Sequence, residues 1–473
     1  MPVANQSAID TTDNKLWTTF ETTPIMSTYL VSYAVLDYGY ISHGDERFRV
    51  WSREDDPRDT NYALTQGESM LKYLEEYTTI PYTLPKMDEI SIPDPSVTTF
   101  EKWGLIIGRE EELLYDDSVD TTVTKQTDTQ VSADVMARQW FGNLVTASWW
   151  KYFWLNEGFG VYFQYYVTDQ VEDNWRFMEQ FVVRISQGRS FIADSSETTR
   201  PLNQDVSTYE EINALYDSIT YGKAASVIHM MSNFLTPQVF HDGLIRYLKN
   251  NAYKAVTPDD LWSASQEVSD ESEILPPEIC LKKVMDTWVE QPGFPLITVT
   301  RNYKTGKAHI SQERYFQSGA SGDGTRWWVP ISYTTQSDLD FSSTSPCEWI
   351  PQAKNNIVLR GFDSTDWTIF NIQQSGFYRV NYDETNWKLI ANYLDSDDYV
   401  NIHPVNRAQL MDDSYNLAIA NRINYSTFLD ISTYIRRDVD YIPWYSLLGA
   451  VDDLYAKLAN TRSFSLFKVH ILL

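Results

Sequence analysis

The most chemically informative residues of this chain are Asp134, Arg138 and Glu157. Asp134 and Arg138 stand four positions apart, a spacing that puts two side chains on one face of an α-helix. Glu157 follows nineteen positions after Arg138. Two side chains from one helix face and a third from a following helix can converge on a single ion. Carboxylates bind zinc, whereas the cation of Arg138 has no lone pair to give a metal.

The same spacing on the helix of a zinc peptidase carries two histidines as ligands, with a glutamate beside the first as general base. Here the two histidine positions are Asp134 and Arg138, and the glutamate position is Val135. A guanidinium does not lose its proton in a protein. At about 4 Å and an effective dielectric of about 20, it would repel a dication by on the order of 8 kcal/mol. We therefore expect no catalytic zinc, and Val135 cannot accept a proton from water.

The charges themselves suggest what fills this site. Two buried carboxylates facing a void would be unstable, and a cation between them satisfies both. We predict that the Arg138 guanidinium replaces the metal electrostatically and lies between Asp134 and Glu157. The alternative is an ordinary surface pair of Asp134 and Arg138, with Glu157 elsewhere.

The elements that must position these residues lie in the middle of the chain, which has mainly helical spacing from about 127 to 290. One helix is predicted to end near Gly142, because Gly and Asn follow its apolar stripe. Residues 148 to 168 are apolar on nearly every side, which is typical of a buried helix. A third helix is predicted from Tyr221 to Phe234.

The flanking segments have a different pattern. Residues 15–42, including Met26 to Val35, are rich in β-branched and aromatic residues and predict extended structure. After Pro295 the apolar period becomes two, which predicts a small antiparallel sandwich. Helical spacing returns from about 386. The whole pattern predicts a multidomain α+β protein.

Several ordered blocks of sequence resemble one known family. The blocks are Leu84-Pro-Lys-Met-Asp88, Glu101-Lys-Trp-Gly-Leu105, Gln139-Trp-Phe-Gly-Asn-Leu-Val-Thr146, Trp154-Leu-Asn-Glu-Gly-Phe159 and Gly376-Phe-Tyr-Arg-Val-Asn-Tyr382. They resemble the zinc aminopeptidases related to aminopeptidase N, a gluzincin family with a thermolysin-like catalytic domain. The resemblance runs from about Trp17 to about Ile431.

The resemblance implies a role for each site position. The first zinc histidine and the catalytic glutamate of the family fall on Asp134 and Val135, and the second histidine falls on Arg138. The third zinc ligand is kept as Glu157. The tyrosine that stabilises the oxyanion in relatives corresponds to Tyr221, which could equally be a packed helix tyrosine.

The family's G-A-M-E-N signature, whose glutamate holds the free amine of the substrate, appears here as Thr98-Thr-Phe-Glu-Lys102. Glu101 is therefore kept, whereas two β-branched threonines, Thr98 and Thr99, replace the flexible Gly-Ala pair. The expected substrate-binding residues are Glu101, Glu157 and Tyr221. The alternative for Glu101 is a generic acid at a strand edge.

The resemblance also implies a domain layout. Residues 1–45 would be the remnant of an amino-terminal β domain, and residues 46–292 a mainly helical thermolysin-like peptidase domain. Residues 293–384 would form the small β-sandwich. Residues 385–473 would begin a helical carboxy-terminal domain that is truncated here.

Composition limits the partners. The 473 residues include 38 Lys and Arg against 65 Asp and Glu, a formal net charge of −27, which argues against nucleic acid and anionic membranes. No apolar run approaches the ~20 residues of a transmembrane helix, and the first residues show no signal peptide. Relatives are often extracellular or membrane-anchored, so the resemblance implies an extracellular or cell-surface setting. The sequence does not indicate an oligomeric state.

Three interpretations of function follow. The first is an inactive aminopeptidase-like protein without a cofactor, which binds a peptide or protein ligand in its cleft. The second is an active zinc aminopeptidase that removes amino-terminal residues with an atypical site. The third is a non-functional truncated duplicate.

Overall fold

The computed structural model describes residues 1–56, 58–94, 96, 99–465 and 468. The chain has a mixed α/β structure and divides into two compact units. Unit 1 comprises Met1–Phe177 and His241–Ser265, and unit 2 comprises Met178–Phe240 and Gln266–Leu473.

The described strands belong to several small sheets. They are β1 (Val3–Gln6), β2 (Thr18–Phe20), β3 (Gly39–Ile41), β4 (Phe48–Ser52), β5 (Met87–Ile92), β6 (Phe100–Lys102), β7 (Leu105–Arg109), β8 (Val145–Ala147), β9 (Lys254–Val256), β10 (Pro295–Asn302), β11 (Lys307–Arg314), β12 (Val329–Ile331), β13 (Tyr333–Thr335), β14 (Glu348–Ile350), β15 (Asn356–Arg360), β16 (Thr368–Phe370) and β17 (Arg379–Tyr382).

The described helices fill most of the remaining chain. They are α1 (Thr60–Thr78), α2 (Glu110–Leu113), α3 (Thr122–Ala137), α4 (Trp154–Val171), α5 (Phe177–Phe181), α6 (Ile192–Asp194), α7 (Tyr209–Asn213), α8 (Ala224–Phe234), α9 (Pro237–Asn251), α10 (Pro258–Glu271), α11 (Leu281–Val289), α12 (Glu384–Leu394), α13 (Pro404–Ile419), α14 (Tyr425–Ser432) and α15 (Tyr441–Leu458). Two π-helical segments, Val182–Phe191 and Ile219–Lys223, and several short 3-10 helices complete the order.

Unit 1 contains a five-stranded sheet in the order β3-β4-β5-β7-β6. The three central strands, β4, β5 and β7, run parallel, and the two edge strands run antiparallel to their neighbours. Helix α1 follows β4 and packs against it, as expected for a crossover between parallel strands. Strand β6 is therefore an edge strand, and it carries Glu101 opposite Ile106 of β7.

Helices α3 and α4 of unit 1 pack against each other and confirm the two helices predicted around the site. The hydroxyl of Thr121 caps α3 by accepting a hydrogen bond from the Thr124 amide. The chain leaves α3 through a turn that reaches Gly142, where φ is +148°, a value that favours glycine. Helix α4 buries most of its residues, in agreement with its apolar sequence.

Unit 2 contains a four-stranded sheet in the order β15-β11-β10-β17. Strands β10 and β11 form an antiparallel hairpin, with Gly306 at φ +62° in its turn. Strand β17 runs parallel to β10, so the prediction of a wholly antiparallel arrangement was wrong for this pair. Alternating apolar residues indicate which face of a strand is buried, but they do not specify strand direction.

The extended structure predicted before residue 42 is only partly present. Strand β2 pairs with β1, whereas Met26 to Val35 contains only the short 3-10 helix Thr28–Leu30. Within the described chain this segment has no ladder partner, and Val35 is 93% exposed. Among the described helices, none combines the length and the apolar character needed to cross a bilayer.

Candidate functional site

The site is built around Arg138, the residue that caps the carboxyl end of α3. Its backbone N–H donates to the Asp134 carbonyl at 3.2 Å, so the side chains of both residues leave the same end of the helix. Glu157 lies in the first turn of α4. A carboxylate at that position is stabilised by the partial positive charge of the helix amino terminus.

The Arg138 guanidinium forms a bridge between α3 and α4. Its Nε and Nη2 donate to the two oxygens of Asp134 at 3.1 and 3.2 Å, and its Nη1 donates to Glu157 Oε2 at 2.5 Å. Only 9% of Arg138 and 6% of Glu157 are exposed. The predicted arginine bridge is confirmed, and the alternative of a surface pair with Glu157 elsewhere is wrong.

Glu101 completes the group of charges from the edge strand β6. Its Oε2 lies 3.9 Å from Arg138 Nε, a longer contact than those of the other two carboxylates. Burial raises the pKa of Glu101 to about 7; Arg138 opposes this shift, and the carboxylate of Glu157 adds to it. Glu101 therefore titrates near neutral pH, because burial disfavours its charged form.

The charge of Arg138 is fixed by its surroundings. Burial lowers the pKa of the guanidinium, but the carboxylates of Asp134, Glu157 and Glu101 raise it by more, so the pKa lies well above its ordinary value. The guanidinium is thus a permanent cation among three acids. Charge-assisted hydrogen bonds of this kind are shorter and stronger than neutral ones.

Gln139 connects the helix to the strand that carries Glu101. Its Oε1 accepts from the Gly104 amide at 3.3 Å, and its Nε2 donates to the carbonyls of Lys102 and Val135 at 3.4 and 3.3 Å. No role was predicted for Gln139 from the sequence. Its position in a block shared with relatives was the available signal, but the pattern does not reveal which backbone groups it contacts.

Four further predicted positions have different surroundings. Val135 is 2% exposed and packs in the core, so an apolar side chain stands at the general-base position. Tyr221 lies in the π-helical segment of unit 2, with its ring centroid 6.5 Å from that of Tyr216. Thr98 lies outside the described residues, whereas the Thr99 hydroxyl donates to Glu112 at 2.6 Å.

The residues at the site do not fit a zinc ion. The family resemblance implies three zinc ligands, at positions 134, 138 and 157. Arg138 stands at one of these positions, and its guanidinium donates hydrogen bonds to the residues at the other two. An arginine has no lone pair for a metal, and its charge repels one. Within the described part of the chain, no group of three or more His, Cys, Asp and Glu is placed to hold a metal ion.

Comparison with known proteins identifies two matching domains. Residues 62–288 match the Peptidase family M1 domain, and residues 367–472 match the ERAP1-like C-terminal domain. The first match contains every predicted site residue. The second match covers the helical region after residue 386, which contains none of the motifs quoted above.

Individual relatives align along nearly the whole chain. Aminopeptidase N of Plutella xylostella is 37% identical over 461 residues, which are 96% of this chain and 48% of that protein. Aminopeptidase N of Mus musculus is 35% identical over 94% of this chain and 46% of its own length. Membrane alanyl aminopeptidase of Heliothis virescens is 34% identical over 93% of this chain and 45% of its own length. The chain spans about half the length of the curated relatives it matches.

Proposed function

The chain belongs to the aminopeptidase N-like family of M1 peptidases, and from this membership we propose that it is a catalytically inactive member that retains a peptide- or protein-binding cleft. The observation that carries the proposal is the buried bridge from Arg138 to Asp134 and Glu157. A permanent cation stands where relatives of this family hold zinc.

Two losses support inactivity independently of each other. A metal in a peptidase polarises the scissile carbonyl and lowers the pKa of the attacking water, and Arg138 supplies no open coordination position for either task. The general base that would take the proton of that water is replaced by Val135, which is buried and apolar. Restoring only one of these functions would leave the other absent.

Binding is supported by Glu101. Arg138 makes its short hydrogen bonds to Asp134 and Glu157, so Glu101 is the carboxylate of the group that the guanidinium satisfies least. In the family this glutamate holds the free amine of the substrate. We infer that Glu101 takes the amino terminus of a peptide. The substrate-binding role that the resemblance implies for Tyr221 stays a prediction. Zinc is not part of this proposal.

We further infer the finer layout and setting from the family. Residues 46–292 would form the thermolysin-like peptidase domain, and residues 293–384 the β-sandwich domain that follows it. The setting would be extracellular or at the cell surface.

Metal content and hydrolysis test inactivity. The purified wild-type chain is expected to contain no stoichiometric zinc and to leave aminoacyl-anilide substrates intact. The triple variant Asp134→His, Val135→Glu, Arg138→His should acquire zinc, because it restores two imidazole ligands beside Glu157. Stoichiometric zinc in the wild type, with turnover that a chelator abolishes, would show instead an active enzyme with an atypical site.

A separate experiment tests binding. A fluorescent peptide with a free amino terminus is titrated with the protein, alongside the same peptide after acetylation. Binding of the free peptide is expected to be tighter at pH 8 than at pH 6, because Glu101 ionises with a pKa of about 7. Glu101→Gln should abolish the preference for the free amine. Equal binding of both peptides would contradict the role of Glu101 without bearing on zinc.

A further inference from the structure

Gly160 lies on α4 three residues after Glu157, on the part of the helix that faces the end of α3. Glycine inside a helix costs about 1 kcal/mol relative to alanine, so a helical glycine at a packed position has a structural reason. The surroundings of Gly160 give that reason.

A methyl group at position 160 would collide with the arginine bridge. A Cβ there would lie 2.5 Å from Asp134 Oδ1 and 3.0 Å from both Nε and Nη2 of Arg138. These are three of the four atoms that form the double hydrogen bond between the two residues. The bridge therefore occupies the space that a side chain at 160 would need.

The colliding atoms cannot move away freely. Arg138 is also held by Glu157 through Nη1, and the Arg138 backbone is fixed at the end of α3. A shift of the guanidinium away from α4 would lengthen its bond to Glu157. A shift of Asp134 would break the paired hydrogen bonds to Nε and Nη2.

We propose that Gly160 is a positioning residue for Arg138, and that the absence of a side chain at 160 keeps the guanidinium between Asp134 and Glu157. The two positions act as a matched pair, because the three atoms nearest to a Cβ at position 160 all belong to Asp134 and Arg138. This inference goes beyond the proposed function, because it holds whether or not the cleft binds a peptide.

The proposal predicts that alanine at position 160 lowers stability, which is the opposite of its usual effect at a helical glycine. Replacing a helical glycine by alanine ordinarily raises stability. Gly449 of α15 is a matched control, because it is exposed and a Cβ there would meet nothing within 4 Å. Gly449→Ala should raise the midpoint of thermal unfolding slightly. Gly160→Ala should lower it by several degrees. In the background Asp134→Ala, Arg138→Ala, where the colliding atoms are gone, Gly160→Ala should be neutral or stabilising.

A second measurement separates positioning from a general packing defect. An arginine-specific dicarbonyl reagent, mapped by mass spectrometry on the native chain, should modify exposed Arg436 and spare Arg138 in the wild type. In Gly160→Ala it should modify both. Gly449→Ala should retain the wild-type pattern.

The outcomes decide the proposal. Protection of Arg138 in folded Gly160→Ala, or an equal loss of stability with and without the Asp134–Arg138 pair, would overturn it. If Gly160→Ala alone does not fold, recovery of folding when Asp134→Ala and Arg138→Ala are added supports the proposal, and failure to recover overturns it.

Discussion

At the scale of single residues, Arg138 stabilises the fold because its buried guanidinium donates hydrogen bonds to the carboxylates of Asp134 and Glu157. Arg138→Ala removes the cation that is hydrogen-bonded to Asp134 and Glu157, and removing one partner of a buried pair typically costs about 3–5 kcal/mol. Lys388→Ala is the control, since Lys388 and Glu384 form an exposed pair at the same spacing and its loss should cost less than about 1 kcal/mol. Denaturant unfolding measures both. Two equally small losses would show that burial adds nothing to the bridge.

Glu101 should make stability depend on pH. Its pKa is 4.5 in the reference state and about 7 in the folded protein, mainly because of burial. Between these values the unfolded chain loses the proton and the folded chain keeps it, so the contribution of Glu101 is present below pH 4.5 and is lost as pH rises to 7. The loss is at most about 3 kcal/mol. Glu101→Gln should remove this part of the pH profile, measured by denaturant unfolding from pH 4.5 to 8. Superimposable profiles for the variant and the wild type would contradict the shifted pKa.

Residue types and spacing were enough to predict the bridge, but not the space around it. The prediction used the i,i+4 spacing of Asp134 and Arg138 and the charge of Glu157. It therefore required only the geometry of one helix and the permanent charge of a guanidinium. The role of Gly160 depends on how closely two helices approach, and no local pattern encodes that distance. The 3.9 Å contact of Glu101 likewise depends on the register of an edge strand.

At the scale of elements, β5 and α3 bury the carboxyl groups of Glu89 and Asp128. Both oxygens of Glu89 on β5 and of Asp128 on α3 lack a hydrogen-bond partner among the described residues. Burial raises both pKa values to about 8. The charge of Asp128 raises the pKa of Glu89 further. The charge of Asp120 raises the pKa of Asp128, and the charge of Arg58 lowers it. Both groups are therefore neutral in the folded protein at pH 7, which avoids two buried charges.

This acid pair predicts a loss of stability at alkaline pH. The unfolded carboxyls ionise near pH 4, whereas the folded ones keep their protons until about pH 8, so stability falls as pH rises through this interval. Asp128→Asn should reduce the fall between pH 5 and pH 8.5 by on the order of a few kcal/mol. Thermal unfolding at the two pH values measures it. A third measurement at pH 7 distinguishes this effect from that of Glu101→Gln, which should be complete near pH 7. An unchanged fall in Asp128→Asn would contradict the burial of a proton at Asp128.

The elements themselves differed in how far their sequences predicted them. Helix α3 followed from its apolar stripe, and helix α4 from a segment that is apolar on nearly every side, because a helix satisfies its own backbone groups. The segment from Met26 to Val35 has strand-forming residues but gained no partner strand in the described chain. The parallel pairing of β10 and β17 was also beyond local reasoning, since each paired residue of β10 lies 83 positions before its partner in β17. Strand pairing is decided by distant segments, which an alternating pattern does not identify.

At the scale of the whole molecule, the net charge of −27 should oppose the folded state. Like charges repel more strongly in a compact chain than in an expanded one, and salt screens exposed charges over about 8 Å at 0.15 M. Raising NaCl from about 20 mM to about 200 mM should therefore raise the midpoint of thermal unfolding by a few degrees. A midpoint that falls with salt would mean that exposed ion pairs outweigh the repulsion.

The same salt series distinguishes the buried bridge from the surface charge. Arg138 and Glu157 are almost fully covered, so mobile ions cannot come between them, and their attraction should depend little on salt. The difference in unfolding free energy between wild type and Arg138→Ala should stay constant across the series, while the stability of each protein rises. The difference for Lys388→Ala should shrink instead, because its partner Glu384 is exposed. If the difference for Arg138→Ala shrinks with salt as the difference for Lys388→Ala does, the guanidinium is in contact with solvent. Dissolved cations would then compete with it for the carboxylates.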